Sequence, residues 1–307
     1  MAKPIIIYKN DLKNRDKMMD MTDVEFADEE TEKLCDVDVD TVDYRVKECV
    51  ADSEACFETK VNKEVKHTLD LKHLNLTNIP SLSSSMFKTV RNLFICHNNL
   101  KKLPSMQMFY NLEVLDCGHN NITTIDELPD TLIELNCESN QITDLSNLSK
   151  YKIDRLRCSY NKLTSLPPLT LSILDCSHNN LTDLPMLPNL RKLICSHNKL
   201  KEINSFPQLE YLDCSDNSLI SIEQNDAITE LFCNNNKLPD LPKLNSLQIL
   251  DCSNNTMKQI HYYPHLLELL CNYNGIDIAT KYKEVLDDHK VYHDKYLFVR
   301  FHQDISV

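Results

Sequence analysis

The chain has 307 residues and a net charge of −13, with 46 acidic against 33 basic side chains. That balance argues against a nucleic-acid or anionic-membrane surface, since both need basic patches. With glycine only at 118 and 275 there is no Gly-rich phosphate loop or dinucleotide fingerprint. No G-x-S-x-G, H-E-x-x-H or paired C-x-x-C is present either. The expectation is therefore no catalytic residues, no bound metal and no cofactor. There is no run of 18 apolar residues to form a membrane span. The apolar run near the start is four residues, too short for a leader peptide. Thirteen cysteines, most of them recurring singly, point to free thiols in a reducing, intracellular (cytoplasmic) compartment.

Residues 1–64 hold 18 acidic against 10 basic side chains. Residues 1–45 read as an acidic, flexible arm, and charge runs of this kind usually mark solvated segments. A sharper reading makes the arm a docking segment that folds on a partner. Residues 46–68 read as an N-terminal cap, with Val50, Phe57 and Val61 at near-helical spacing.

From about residue 69 to 276 one line of text repeats some eleven times. Its frame is L-x-x-L-x-C-x-x-N-x-L-x-x-L/I, as in LSILDCSHNNLTDL from Leu171. The anchoring asparagines are Asn98, Asn120, Asn140, Asn161, Asn179, Asn198, Asn217, Asn236, Asn255 and Asn274. The last six are 19 residues apart, and the earlier steps are 22, 20, 21 and 18. A fixed period of this size signifies a solenoid. Positions are numbered below from each asparagine. Leucine at −5 and cysteine at −3 differ by two, which turns both inward on a short strand. The cysteine column is Cys117, Cys137, Cys158, Cys176, Cys195, Cys214, Cys233, Cys252 and Cys271. Its thiols are expected to pack as small hydrophobes, because a single file offers no tetrahedral metal cage. Each asparagine has a structural role, since its amide supplies donor and acceptor to backbone groups left facing inward by the turn after the strand. Prolines after many of the final leucines imply an outer arm that is extended or a short 3₁₀ turn.

Two repeats depart from the frame. The first (Leu69, Leu71, Leu74, Leu76, Ile79) has Leu74 in place of the asparagine, as end repeats often do. In the second, Ile95 holds the cysteine position and Cys96 follows it. Strand alternation then predicts that Cys96 is the one repeat cysteine on the outside. Past Asn274 the frame fails, and residues 277–307 read as a closing cap, with a helix over 278–289 and a strand over 296–302.

The frame and the Leu-Pro pairs (Leu166-Pro167, Leu184-Pro185, Leu241-Pro242) resemble the leucine-rich-repeat proteins. The short period is similar to that of secreted bacterial effectors. The recurrent cysteine in Asn- and Lys-rich text is similar to the repeat proteins of mimivirus-like giant viruses. The resemblance implies a right-handed leucine-rich-repeat horseshoe with a parallel sheet on its concave face and small helical caps. It also implies a non-catalytic module that binds a protein partner, as a viral or effector protein in a host cell. The C-terminal ubiquitin-ligase domain of some such effectors is not carried over, since the roughly 30 residues after the repeats contain no cysteine.

Side chains at −6, −4 and −2 are expected on the concave face. There Arg155 and Arg157 share a rung between Glu134 and Asp175, and an apolar set follows: Ile173, Ile194, Tyr211, Phe232, Ile249 and Leu270. Apolar side chains in a charged field are what a protein-binding surface presents. His97/His119 and His178/His197 stand at −1 on neighbouring rungs, either as exposed loop residues or as a pH- or metal-responsive pair. The competing view of the whole chain is a structural, particle-associated component with no dedicated host target. The sequence names neither the partner nor the oligomeric state.

Overall fold

The computed structural model describes residues 67–82, 84–275 and 298–300. The acidic arm, all but the last two residues of the first cap, and the closing helix lie outside these. So does the closing strand, apart from 298–300.

Leucine at −5 forms the centre of a three-residue strand in rung after rung. In chain order the first strands are β1 (Thr68–Asp70), β2 (Asn92–Phe94), β3 (Val114–Asp116), β4 (Glu134–Asn136), β5 (Arg155–Arg157), β6 (Ile173–Asp175) and β7 (Lys192–Ile194). Then come β8 (Glu202–Ile203), β9 (Tyr211–Asp213), β10 (Ser221–Ile222), β11 (Glu230–Phe232), β12 (Ile249–Asp251), β13 (Glu268–Leu270) and β14 (Phe298–Arg300). All except β8 and β10 join one parallel sheet in sequence order. The register is constant: Leu69 pairs with Leu93, Leu93 with Leu115, and so on to Leu250 with Leu269. These leucines are buried, and each such burial contributes about 1.5–3 kcal/mol. The apolar residue at −8 closes the coil behind them, as Leu112, Leu190, Leu209 and Leu247 do at 0% exposure.

The outer arm is mostly irregular, with 3₁₀ turns at Met106–Met108 and Ser146–Lys150. Two elements there go beyond the extended-or-3₁₀ expectation. A short helix, α1 (Ser84–Thr89), fills the connection between β1 and β2. That connection is longer than those between successive main-sheet strands from β2 to β13, and Met86 and Phe87 pack back on the core. On the outer side β8 and β10 pair in parallel, a second sheet of two strands. It sits beside Asn225, which is 1% exposed in a column otherwise apolar (Phe206, Leu244, Tyr263). The Asn225 amide accepts from Phe206 N–H at 2.6 Å and donates to the Glu223 carbonyl at 2.7 Å, so its burial leaves no polar group stranded.

Candidate functional site: the open face of the sheet

The strands bury their centres and turn −6 and −4 to the other side, where no described helix or strand packs over them. Ile173, Ile194, Tyr211, Phe232, Ile249 and Leu270 all lie on this face, on six successive rungs from β6 to β13. Each is half-buried rather than freely exposed, because neighbours one strand away shield its flanks. The Tyr211 and Phe232 rings meet at 5.6 Å between centroids, and the Lys192 ammonium lies 4.7 Å from the Tyr211 ring centre. Arg155 and Arg157 do share β5. Arg155 reaches Glu134 at 3.9 Å and Asp154 at 3.8 Å. Burial pushes the Glu134 carboxyl above its usual range, against the pull of Arg155 and Arg157.

Below this face the chain bends sharply, and every asparagine of the frame holds the bend. The Asn179 amide donates to the carbonyls of Cys158 (2.9 Å), Cys176 (3.1 Å) and Ser177 (3.0 Å), and its oxygen accepts from Leu163 N–H at 2.9 Å. Asn98, Asn120, Asn140, Asn161, Asn198, Asn217, Asn236, Asn255 and Asn274 repeat the pattern. At the degenerate first repeat Asn98 takes both Leu74 and Leu76 N–H groups. The asparagine column thus stitches each rung to the one before it.

Cysteines 117, 137, 158, 176, 195, 214, 233, 252 and 271 form an inner file beside the asparagines, each at most 4% exposed. All ten described cysteines are thiols rather than halves of a disulfide. The Cys117 thiol donates to the Asn136 carbonyl of the next rung at 3.3 Å. Burial pushes the thiols of this file from Cys117 to Cys252 up, away from the reactive thiolate. Cys96 overturns the outside assignment: it is buried, with 5% exposure. Alternation does not reach it, because β2 ends at Phe94 and position −2 already lies in the bend. Ser159, Ser177, Ser196 and Ser215 are buried at the same position.

The bend has a feature that sequence reasoning missed. Position −1 is left-handed in every rung, from His97 (φ 55°) to Tyr273 (φ 52°), and His73 at the start shares it. Such a φ is uncommon outside glycine, though Asn, Asp and His are enriched there. The run Asp216, Asn235, Asn254 at −1 was the available signal. The left-handed turn aims these side chains along the stacking axis. His73, His97 and His119 stack at 4.4 and 4.1 Å, ending on Glu138 at 3.3 Å. Tyr160, His178 and His197 stack at 3.9 and 4.1 Å, and His197 meets Asp216 at 3.6 Å. Asn235 then bonds Asp216 at 3.0 Å, and Asn254 bonds Asn235 at 2.8 Å. Burial, then the neighbouring imidazoles, lowers the pKa of His97; burial, then His197, lowers that of His178. Among the described residues no group of three or more His, Cys, Asp or Glu side chains is placed to hold a metal ion. No described helix is long and apolar enough to cross a membrane.

Stacked three-residue parallel strands, a leucine ladder and an amide-bonded asparagine column define a leucine-rich-repeat solenoid. Known proteins agree. A family model described as leucine-rich repeats, in two copies, matches residues 88–130 and 188–227. A leucine-rich repeat protein of Acanthamoeba polyphaga mimivirus, R380, is 35% identical over 92 residues, 30% of this chain and 20% of that protein. The chain thus spans about a fifth of the length of that relative. Among solved structures, YopM from Yersinia enterocolitica WA-314 aligns with TM-score 0.54 and 29% identity, over 66% of this chain and half of that one. InlJ of Listeria monocytogenes, whose functional domain includes a cysteine ladder, aligns with TM-score 0.52 and 27% identity, over 69% and 46% of the two chains. The fold is one that commonly mediates protein–protein interaction.

Proposed function

We propose that this chain is a non-catalytic interaction module that grips a protein partner on its concave sheet, with Ile194, Tyr211 and Phe232 at the centre. One observation carries the reading. Six apolar or aromatic side chains stand on the open face of six successive rungs, on a parallel sheet that no described element covers. All-parallel sheets are ordinarily covered on both faces, so this one supplies the surface that a partner would cover. Ile173, Ile249 and Leu270 extend the patch, and Arg155 and Arg157 bound it on β5. The likeness to a giant-virus repeat protein supports a viral protein acting inside a host cell.

The test is a lysate pull-down with quantitative mass spectrometry, comparing the natural chain with Tyr211→Lys/Phe232→Lys. A partner lost in the double variant, with circular dichroism and melting unchanged, places binding on this face. Equal recovery with both proteins refutes it and returns the weight to a structural component.

A further inference from the structure

The six rungs from β6 to β13 carry on their open face a pattern that the interior does not require. Position −4 reads Asp175, Ile194, Asp213, Phe232, Asp251, Leu270, and the parallel register sets these side by side in that order. Position −6 reads Ile173, Lys192, Tyr211, Glu230, Ile249, Glu268 on the same strands. Each column alternates apolar with charged, and the two columns alternate out of step. The face is a checkerboard with a repeat of two rungs.

The aspartates have a local role that does not need their charge. Asp175 Oδ1 accepts Ser177 N–H at 3.0 Å and its hydroxyl at 2.8 Å. Asp213 does the same for Ser215 at 3.0 and 2.7 Å, and Asp251 takes Ser253 N–H at 2.9 Å. On β4 the neutral Asn136 makes the same bond, to Glu138 N–H at 3.1 Å. On β7, β11 and β13 the position offers no acceptor at all. The bend therefore tolerates an amide or nothing, and three ionisable carboxyls are surplus to it. They are also held against a cost, since burial raises the pKa of all three. Lys192 is the one basic side chain at −6 or −4 on these rungs, and it lies over the Tyr211 ring.

Spacing selects the ligand. Strands about 4.8 Å apart put successive aspartates about 9.6 Å apart along the stack, and less at the side-chain tips of a concave face. An extended β-strand laid along the stack fails, because residues three apart (about 10 Å) point to opposite faces. Two turns of α-helix advance about 10.8 Å and drift out of step. One turn of polyproline II is three residues and about 9.3 Å, with every third side chain on one face. Aromatic side chains such as Tyr211 and Phe232 are the surfaces on which such segments dock.

We propose that the occupant of this face is a basic, proline-containing segment in polyproline II conformation, with Arg or Lys at every third position over Asp175, Asp213 and Asp251. Its intervening residues lie on Ile194, Phe232 and Leu270. Arg157, paired in register with Asp175, ends the cationic run at β5. This rests on the reading of the face as a binding surface and names its partner's chemistry.

The test uses the full chain and three fluorescent peptides: five Arg-Pro-Pro triplets, the same composition with the arginines contiguous, and a helical peptide with Arg at every seventh position. The triplet peptide is expected to bind at least ten-fold more tightly than either of the others. Asp213→Asn/Asp251→Asn should weaken it at least ten-fold. Asp116→Asn, which changes the same turn bond outside the register, should leave it unchanged. Equal affinity for triplet and contiguous peptides, tighter binding of the helix, or full binding by the Asp213→Asn/Asp251→Asn chain overturns the proposal. A lysate partner that needs Tyr211 and Phe232 but ignores the aspartate substitutions overturns this inference alone. A partner indifferent to all four substitutions overturns the binding face as well.

Discussion

On the inner side of the main sheet, the central residue is leucine in every strand from β1 through β13, and its neighbours two and five positions on are nearly as fixed. On the outer side of the same strands, no residue type holds two adjacent rungs from β6 onward. The two faces are about one side chain apart and answer to different constraints. Inside, every rung must match the next, because the leucine, cysteine and asparagine of one rung are the environment of the other. Outside, the neighbours fix only spacing, so residue type is free to follow something beyond the fold. Uniformity marks what the solenoid needs, and variation marks where a second molecule can be read.

That contrast is broken most severely from inside. Asn179→Ala leaves the Leu163 N–H without its partner at a nearly dry site, and strips one of two donors from each of the carbonyls of Cys158, Cys176 and Ser177, which keep Asn161, Asn198 and the Tyr160 N–H. An orphaned donor of this kind costs about 1–3 kcal/mol, and the loss of one of two bonds at each carbonyl adds a smaller cost. The expected result is a clear loss of thermal stability, with hydrogen exchange accelerated first at Leu163 and its neighbours. A substitution on the open face such as Ile173→Thr should leave melting almost unmoved. Equal effects from the two would show that the asparagine column is not what ties the rungs together.

The same contrast explains what the sequence disclosed. The leucine and asparagine columns were legible because the geometry that buries them recurs, so ten imperfect copies agree. Cys96 was misplaced because strand alternation was extended past Phe94, where three-residue strands have already ended. The left-handed −1 column went unseen because its residues differ in chemistry (histidine, tyrosine, serine, aspartate, asparagine) and share only a backbone angle. α1 lies in a connection longer than those between β2 and β13, and the β8–β10 pair lies where Asn204 and Glu223 replace the proline that follows the same position in the flanking rungs. The alternation of aspartate with apolar residues was present in the text all along. It acquired meaning only when the register placed those residues side by side.

The histidine stacks lie at the border between the two faces, and pH separates their contribution from the rest. His97 and His178 have lowered pKa values in the folded chain, so the folded state binds fewer protons than the unfolded one. Their contribution is complete above the unfolded value of about 6.5 and is lost progressively as pH falls from there through the lower folded value. Around His97 stand His73, His119, Asp116 and Glu138; around His178 stand Tyr160, His197 and Asp216. The carboxylates oppose the shift without reversing it. The replacement His97→Asn/His178→Asn keeps a residue type that Asn235 and Asn254 show to be compatible with this φ. The natural chain should therefore lose more melting temperature between pH 7.5 and 5.5 than the double variant does. Parallel pH profiles for the two proteins would mean that the stacks carry no linked proton.

The smallest effect bears most directly on the division between the faces. Asp213 has its pKa raised, chiefly by burial, so its folded form holds a proton more firmly than the unfolded chain. The sign is opposite to that of the histidines: stability is intact below the unfolded value of about 3.9 and declines as pH rises through it toward the folded value. At neutral pH the charge therefore weakens the fold. Asp213→Asn keeps an oxygen for Ser215, as Asn136 does for Glu138, and removes the charge. It should raise the melting temperature at pH 7, by less than Asn179→Ala lowers it, and the gain should vanish near pH 4. If the variant instead melts lower at neutral pH, the carboxylate is serving the solenoid and belongs with the inner columns. A gain in stability beside a loss of peptide binding would show a charge kept at the expense of the fold, which residues facing only their own chain have no reason to do.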